Sequence, residues 1–292
     1  MVTQLQADHG IRKLCKVLGV SKSAYYAYVG GRSHALSSAK AIVSQAVEQV
    51  FSDHRRRYGW RRIQVELADQ GLVAGRYQIR SRMKAKGLVA IQPKSFVPKT
   101  TQSNPALRRS PNLLLEAANW PSAPDQVVVG DITYLPNQET GAGKWLYLAV
   151  WLDLFSRRIV GWQLDRTMES SLVIEAFRQV IRTRHPKAGL IVHSDGGGQY
   201  ASADFRSLLS MNAYRQSMTR KDNHYDNAHA ESLFSRFKAE LLNGGVFYGL
   251  EDAHERVFEY IEGYYNQVRR HSAIGYLSPA AFEQQYADSI AE

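Results

Sequence analysis

A single cysteine, Cys15, stands in 292 residues. One thiol per chain rules out an internal disulfide framework and a cysteine-built zinc site, and it suits a reducing setting. Long apolar runs are also missing: none approaches the roughly 20 residues that a helix needs to cross a bilayer, so no membrane segment is expected. The opening MVTQLQADHG lacks the apolar stretch of a secretory signal, and a cytoplasmic location is the expectation. Acidic residues are scarce in one part only. Residues 1–125 hold 20 Lys and Arg against 7 Asp and Glu, whereas 126–292 hold 17 against 20. The net charge of +10 comes entirely from the N-terminal part, which is expected to bind phosphate and to be joined to a portion with a different task.

The basic part reads as helical. Ile11, Leu14, Cys15 and Leu18 form a helical stripe, Gly19 breaks it, and Ser21 is placed to cap a second helix through Ala24, Tyr25 and Tyr28. This outline over 1–30 fits a helix-turn-helix with Lys22, Ser23 and Tyr26 facing DNA, and it fits equally an ordinary helical hairpin. After Gly30-Gly31 an amphipathic helix near 37–52 is expected, then helices over 54–71 and 74–89 ended by Gly71 and Gly87. In the last, Tyr77, Ile79 and Met83 are assigned inward, and Arg76, Arg80, Arg82, Lys84 and Lys86 outward. With Arg61 and Arg62 they make 31–90 a basic helical module for backbone or groove contact. Six of the nine prolines fall between Ile91 and Pro124, which marks a largely extended basic linker.

Beyond the linker the period changes. VVVGDITYL (127–135), KWLYLAVWLDLF (144–155) and RRIVGWQLD (157–165) read as three successive strands, with LIVHSD (190–195) and 214–218 as two more. Helices are expected at about 169–184, 202–211, 227–242 and 251–268, the last followed by a short tail. Strands in a row followed by alternating helices and strands predict an α/β core, 125–245, on one mixed sheet, with a C-terminal helix and tail over 246–292.

Three acids occupy unusual places. Asp131 interrupts an apolar strand, where a carboxylate is costly unless paired or bound to metal. Asp195 closes a strand and meets Gly196-Gly197-Gly198; Glu231 borders the apolar stripe Ala230, Phe234, Phe237 and Leu241 of a helix. Converging on one sheet edge, such oxygen donors suit Mg²⁺ or Mn²⁺. The interval alone decides nothing, because Asp204–Glu240 and Asp226–Glu262 repeat the 35 intervening residues of Asp195–Glu231; Asp204 and Asp226, however, stand at helix starts, where capping explains them. Around these acids His193 orients the site or is a satisfied strand-end histidine, Asp153 is a hairpin-turn residue beside Ser156, and Asn227 is a helix cap. Tyr265, Arg269 and His271 either pack or contact DNA.

The blocks VVVGDITYLP, YLAVWLDLFSRRIVGWQLD, IVHSDGGGQY and DNHYDNAHAESLFSRFKAEL, in that order, resemble the integrase core of bacterial insertion-sequence transposases of the IS-three family, second reading frame. RYGWRRIQVELADQGLVAGRYQIRSRMKAKGLV resembles the helix-turn-helix-like segment upstream of that core, and YNQVRRHSAIGYLSPAAF its C-terminal motif; together the blocks cover roughly residues 10–285. The resemblance implies an RNase H-like fold in which Asp131, Asp195 and Glu231 hold two divalent ions and catalyse cleavage and strand transfer. It implies a terminal-DNA contact for Lys238. Further DNA contacts are expected at Lys22, Arg61, Arg62, Arg76, Arg80, Lys84 and Arg269. Expected partners are the element's terminal inverted repeats, target DNA, further copies of the chain on DNA, and an upstream-frame protein or fusion, in a bacterial, nucleoid-associated setting. Gly196 and the loop NQETGAGK depart from the family's usual pattern. A nuclease that cuts without joining and a non-catalytic DNA-binding regulator are the competing readings.

Overall fold

The structure is a computed structural model of the protein, describing residues 2–6, 9–31, 38–93, 109–220, 228–243 and 245–291; the side chains of 2, 38 and 228–231 fall outside that set. The chain divides into two compact units, residues 1–90 and 91–292.

In the first unit, α1 (Val2–Leu5), α2 (Ile11–Val17) and α3 (Lys22–Val29) surround buried Leu14, Cys15 and Tyr25. The Ser21 hydroxyl accepts from Ala24 N at 3.1 Å and caps α3, and the Tyr25 hydroxyl donates to Gln6 Oε1 at 2.7 Å. The helices α4 (Ser38–Asp53), α5 (Trp60–Asp69) and α6 (Arg76–Ala85) pack around Val47, Phe51, Tyr58, Ile63, Leu67 and Ile79. The helix expected from residue 54 begins only at Trp60. Arg55 and Arg56 adopt positive φ, and Arg56 N donates to Phe51 O, which closes α4. This turn lets Tyr58 stack on His54 at 3.7 Å and bury completely. On α6 Tyr77 is 76% exposed, not inward as read from the sequence. Residues 77 and 79 lie about 200° apart around a helix, so they cannot share the face that buries Ile79. Arg82, expected outside, is half-buried.

The second unit is built on β1 (Val127–Pro136), β2 (Trp145–Asp153), β3 (Ile159–Asp165), β4 (Ile191–Ser194) and β5 (Arg215–Met218), in the order β3-β2-β1-β4-β5. β1, β2 and β3 pair antiparallel in succession, while β4 runs parallel to β1 and β5 parallel to β4. With helices on both faces this is the RNase H-like architecture. On one face α7 (Ser170–Arg184) and α8 (Ala203–Met211) cover Val128, Trp151 and Val192. Trp151 lies against Gly130, where any Cβ would fall inside its ring. On the other face α9 (Ala228–Leu242) and α10 (Leu250–Phe258) bury Phe234, Phe237 and Val257 against Leu135, Leu148 and Trp162. Fully burying a side chain of this size contributes roughly 1.5–3 kcal/mol.

Two segments differ from their expected form. Residues 109–124, read as part of an extended linker, carry short 3-10 turns at 113–115 and 117–119. They dock on the core because the segment is locally apolar: Leu113 and Leu114 pack on Val127, Val129 and Ile191. The expected C-terminal tail contains a helix, α11 (Pro279–Ala291). Ser278 accepts from Ala281 N and Pro279 takes the first helical position, where a missing N–H costs nothing. Glu283 fastens α11 to Arg184 and Arg158, and Phe282 and Tyr286 pack on Phe155.

Candidate active site

β1 and β4 set two aspartates side by side. Their parallel register pairs Val127 with Ile191, Val128 with Val192 and Val129 with His193. Two residues beyond Val129 stands Asp131, and two beyond His193 stands Asp195, just past the end of β4. Neighbouring strands lie about 4.8 Å apart and side chains alternate between faces. The register thus brings both acids to one level, on the face where Val127, Val129 and Ile191 are buried. Each carboxylate is held by backbone: Asp131 accepts from Ile132 N at 2.8 Å, and Asp195 from Gly197 N at 3.0 Å.

The electrostatics agree with that placement. Burial pushes the Asp195 carboxyl above its ordinary pKa, against the opposing effects of the Gly197 N–H and the positive charge of Arg109. The buried Tyr200 phenol is raised well above its usual value, by burial first and then by the negative charges of Asp131 and Asp195. One phenol thus senses both acids. Lys238, half-buried on α9, has its pKa lowered by burial, while the attraction of Asp131 works the other way. Position 231 precedes Lys238 by seven residues, about two turns, and so shares its stripe of α9. The Glu231 side chain lies outside the described residues. Among the described residues no group of three or more His, Cys, Asp and Glu is close enough to hold a metal ion. The two aspartates are nonetheless hard, half-buried oxygen donors of the kind a small divalent cation requires.

Residues 121–224 match an integrase core domain, 212–279 a second integrase core domain, and 38–96 an HTH-like domain. The chain is 39% identical over 276 residues to the insertion element IS600 uncharacterized 31 kDa protein of Shigella sonnei, covering 94% of this chain and 98% of that one. It is 36% identical over 283 residues to transposase InsF for insertion sequence IS3A of Escherichia coli (strain K12), covering 96% of each. The chain belongs to the IS3 family of insertion-sequence transposases. Among solved structures, the HTLV-2 integrase catalytic core domain in complex with magnesium is similar over 56% of this chain and 98% of that one, at 18% identity and a TM-score of 0.42.

In this transposase the HTH-like match spans α4, α5 and α6. Arg76, Arg80 and Lys84 are exposed along one stripe of α6. Arg61 is exposed with its guanidinium 4.8 Å from the Trp60 ring, Arg76 lies 4.9 Å from the Tyr77 ring, and Arg62 is half-buried, 5.3 Å from the Tyr58 ring. Lys22 opens α3 and is exposed.

Arg269 requires correction as a DNA contact. It is 3% exposed, and its guanidinium forms a two-point pair with Glu240 of α9, whose carboxylate also accepts from the Tyr260 hydroxyl. The tail motif around it is structural as well. Tyr265 donates to Arg157 O, and the Asn266 amide pairs with both N and O of Ile159 at the free edge of β3. The His271 ring packs on Tyr265. His193 is buried with Nδ1 at 2.8 Å from the Ser217 hydroxyl. Asp153 is buried and accepts from Asp125 N, Phe155 N, Ser156 N and the Ser156 hydroxyl. Asn227 lies outside the described residues. Sequence reasoning missed Tyr200 and Arg109. Tyr200 carries a faint signal, an aromatic closing the loop that follows Asp195; Arg109 carries none, because its composition is that of a linker.

Proposed function

We propose that this transposase cleaves DNA at the ends of its element and joins the resulting 3′-hydroxyl to a target phosphodiester, with Asp131, Asp195 and Glu231 as the metal-binding carboxylates. The observation that carries the reading is the meeting of Asp131 and Asp195 at the end of β4, opposite the stripe of α9 that holds position 231. Divalent cations held there, Mg²⁺ or Mn²⁺ and two by expectation, would supply the Lewis acidity that ionises an attacking water or 3′-hydroxyl and stabilises the departing 3′ oxygen. The chain's own part is to hold carboxylate oxygens in a poorly hydrated place, where charge interactions are stronger than in water. β1 and β4 fix two donors through backbone register, and α9 brings the third on a separate element. Lys238 places a positive charge beside Asp131, where it screens the carboxylates and receives the phosphate backbone. No side chain bonds covalently to DNA in this scheme.

The division of labour follows the charge. Residues 1–30 and 31–90 bind the terminal repeats through Lys22, Arg61, Arg62, Arg76, Arg80 and Lys84; 91–124 connect them to the core; 125–245 carry the chemistry; and 246–292 brace it. Two ends must be brought together for transposition, so further copies act on DNA together, with an upstream-frame protein or fusion as an additional partner. The test is cleavage and joining of labelled element-end DNA by wild type and Asp195→Asn, with Mg²⁺ and with EDTA. Activity only in wild type with Mg²⁺ supports the proposal; joining by the variant, or in EDTA, contradicts it.

A further inference from the structure

The guanidinium of Arg109 sits against the turn that follows Asp195. A Cβ built on Gly196 would lie 2.5 Å from Arg109 Cζ, 2.7 Å from Nη2 and 2.9 Å from Nε. The planar group therefore lies in the space that any larger residue at 196 would fill. It is half-buried, and among the described residues its donors have no hydrogen-bond acceptor and no ion-pair partner. Asp195 feels its charge, while its carboxylate accepts from Gly197 N. The neighbouring backbone is pinned. The Ser110 hydroxyl donates to Gln216 Oε1 at 2.8 Å, Pro111 O accepts from Met218 N at 3.2 Å, and Leu113 N donates to the Ser217 hydroxyl at 2.9 Å. Gln216 in turn donates to Tyr200 O at 2.6 Å. An arginine whose guanidinium is not taken up by another protein group among the described residues, held beside an acidic site and backed by glycine, is placed to receive an anion. Its fork matches the oxygens of a phosphodiester.

We propose that Arg109 clamps a backbone phosphate of the DNA strand lying over Asp195, and that glycine at 196 keeps open the place where its guanidinium rests. The inference rests on the proposed role of Asp195 and extends it by a substrate-binding residue drawn from outside the sheet. Gly196→Ala must push the flexible tip of Arg109 aside, a shift the long side chain can make, and so should weaken the same interaction by less than Arg109→Gln does. Arg109→Lys keeps the charge without the fork and should fall between wild type and Arg109→Gln.

The experiment measures binding and joining of a terminal-repeat duplex with a free 3′-hydroxyl by the full chain. The proteins are wild type, Arg109→Gln, Arg109→Lys, Gly196→Ala, the Arg109→Gln/Gly196→Ala double variant, and Asp195→Asn. Losing one charged phosphate contact should weaken binding about tenfold and reduce the salt slope by about one. The double variant should be no worse than Arg109→Gln alone, because both changes act on one interaction. Unchanged affinity and salt slope in Arg109→Gln would overturn the inference. So would a variant whose only change is a lower Mg²⁺ requirement, which would make Arg109 a mere counter-charge to Asp195. Asp195→Asn keeps the two questions apart: joining by that variant defeats the proposed triad, whereas a silent Arg109→Gln beside an inactive Asp195→Asn defeats only the clamp.

Discussion

The catalytic unit holds acids away from water in two different ways. At the turn between β2 and β3, Asp153 accepts four hydrogen bonds within the turn and from Asp125 N, and in the C-terminal brace Glu240 is matched by Arg269 and Tyr260. At the end of β4, Asp195 has one backbone donor and a nearby positive charge that forms no ion pair with it. Burial raises the pKa of both Asp153 and Asp195, yet only around Asp153 do several protein donors oppose it. A satisfied acid holds structure together; one left short of partners is available to a cation or a substrate.

The sharpest way to break this contrast is to neutralise both kinds. Asp131→Asn, Asp195→Asn or Glu231→Gln should each reduce Mg²⁺-dependent joining below a few per cent of wild type, with thermal unfolding unchanged; a large fall in melting temperature would place that acid with Asp153. Breaking the brace should do the reverse. Arg269→Met leaves Glu240 buried without its cationic partner and should cost about 3–5 kcal/mol of stability, measured by denaturant unfolding, while a Glu240→Met/Arg269→Leu pair recovers much of it. Asp153→Ala should cost on the order of 2–3 kcal/mol, as four donors lose their acceptor, and activity should fall only as the fold does.

The smallest effect concerns α11. Despite burial, the hydrogen bonds and charges of Arg184 and Arg158 hold the Glu283 carboxyl below its ordinary value of 4.5. A lowered folded-state pKa adds stability above about pH 4.5, and this is lost as pH falls through the folded value. Unfolding followed from pH 6 downward should therefore show a shallower acid loss in Glu283→Gln than in wild type; equal slopes would remove Glu283 from the brace.

The difference between the two kinds of acid is only partly visible in the residues. Strand positions were legible because apolar runs bounded by Pro, Gly and Asp admit few other structures, and the contexts of Asp131 and Asp195 stood out within them. The pairing of β1 with β4, which joins residues some 60 positions apart, leaves no local trace. Nor does the burial of Arg269: a basic residue late in a helix looks the same whether it faces solvent or Glu240. The turn at Arg55-Arg56 is hidden by a run of arginines, and α11 by a Ser-Pro start that reads as tail. Arg109 was invisible for a different reason, since docking of 109–114 on β5 depends on the sheet being formed first.

The most direct measurement exchanges ligand chemistry at the acids themselves. Thiolate is a softer ligand than carboxylate and binds Mg²⁺ poorly while tolerating Mn²⁺ better. Joining by Asp131→Cys and Asp195→Cys should therefore vanish with Mg²⁺ and return in part with Mn²⁺. Variants that keep joining with Mg²⁺, or that stay inert with both ions while folded and bound to DNA, would contradict direct ligation at these positions.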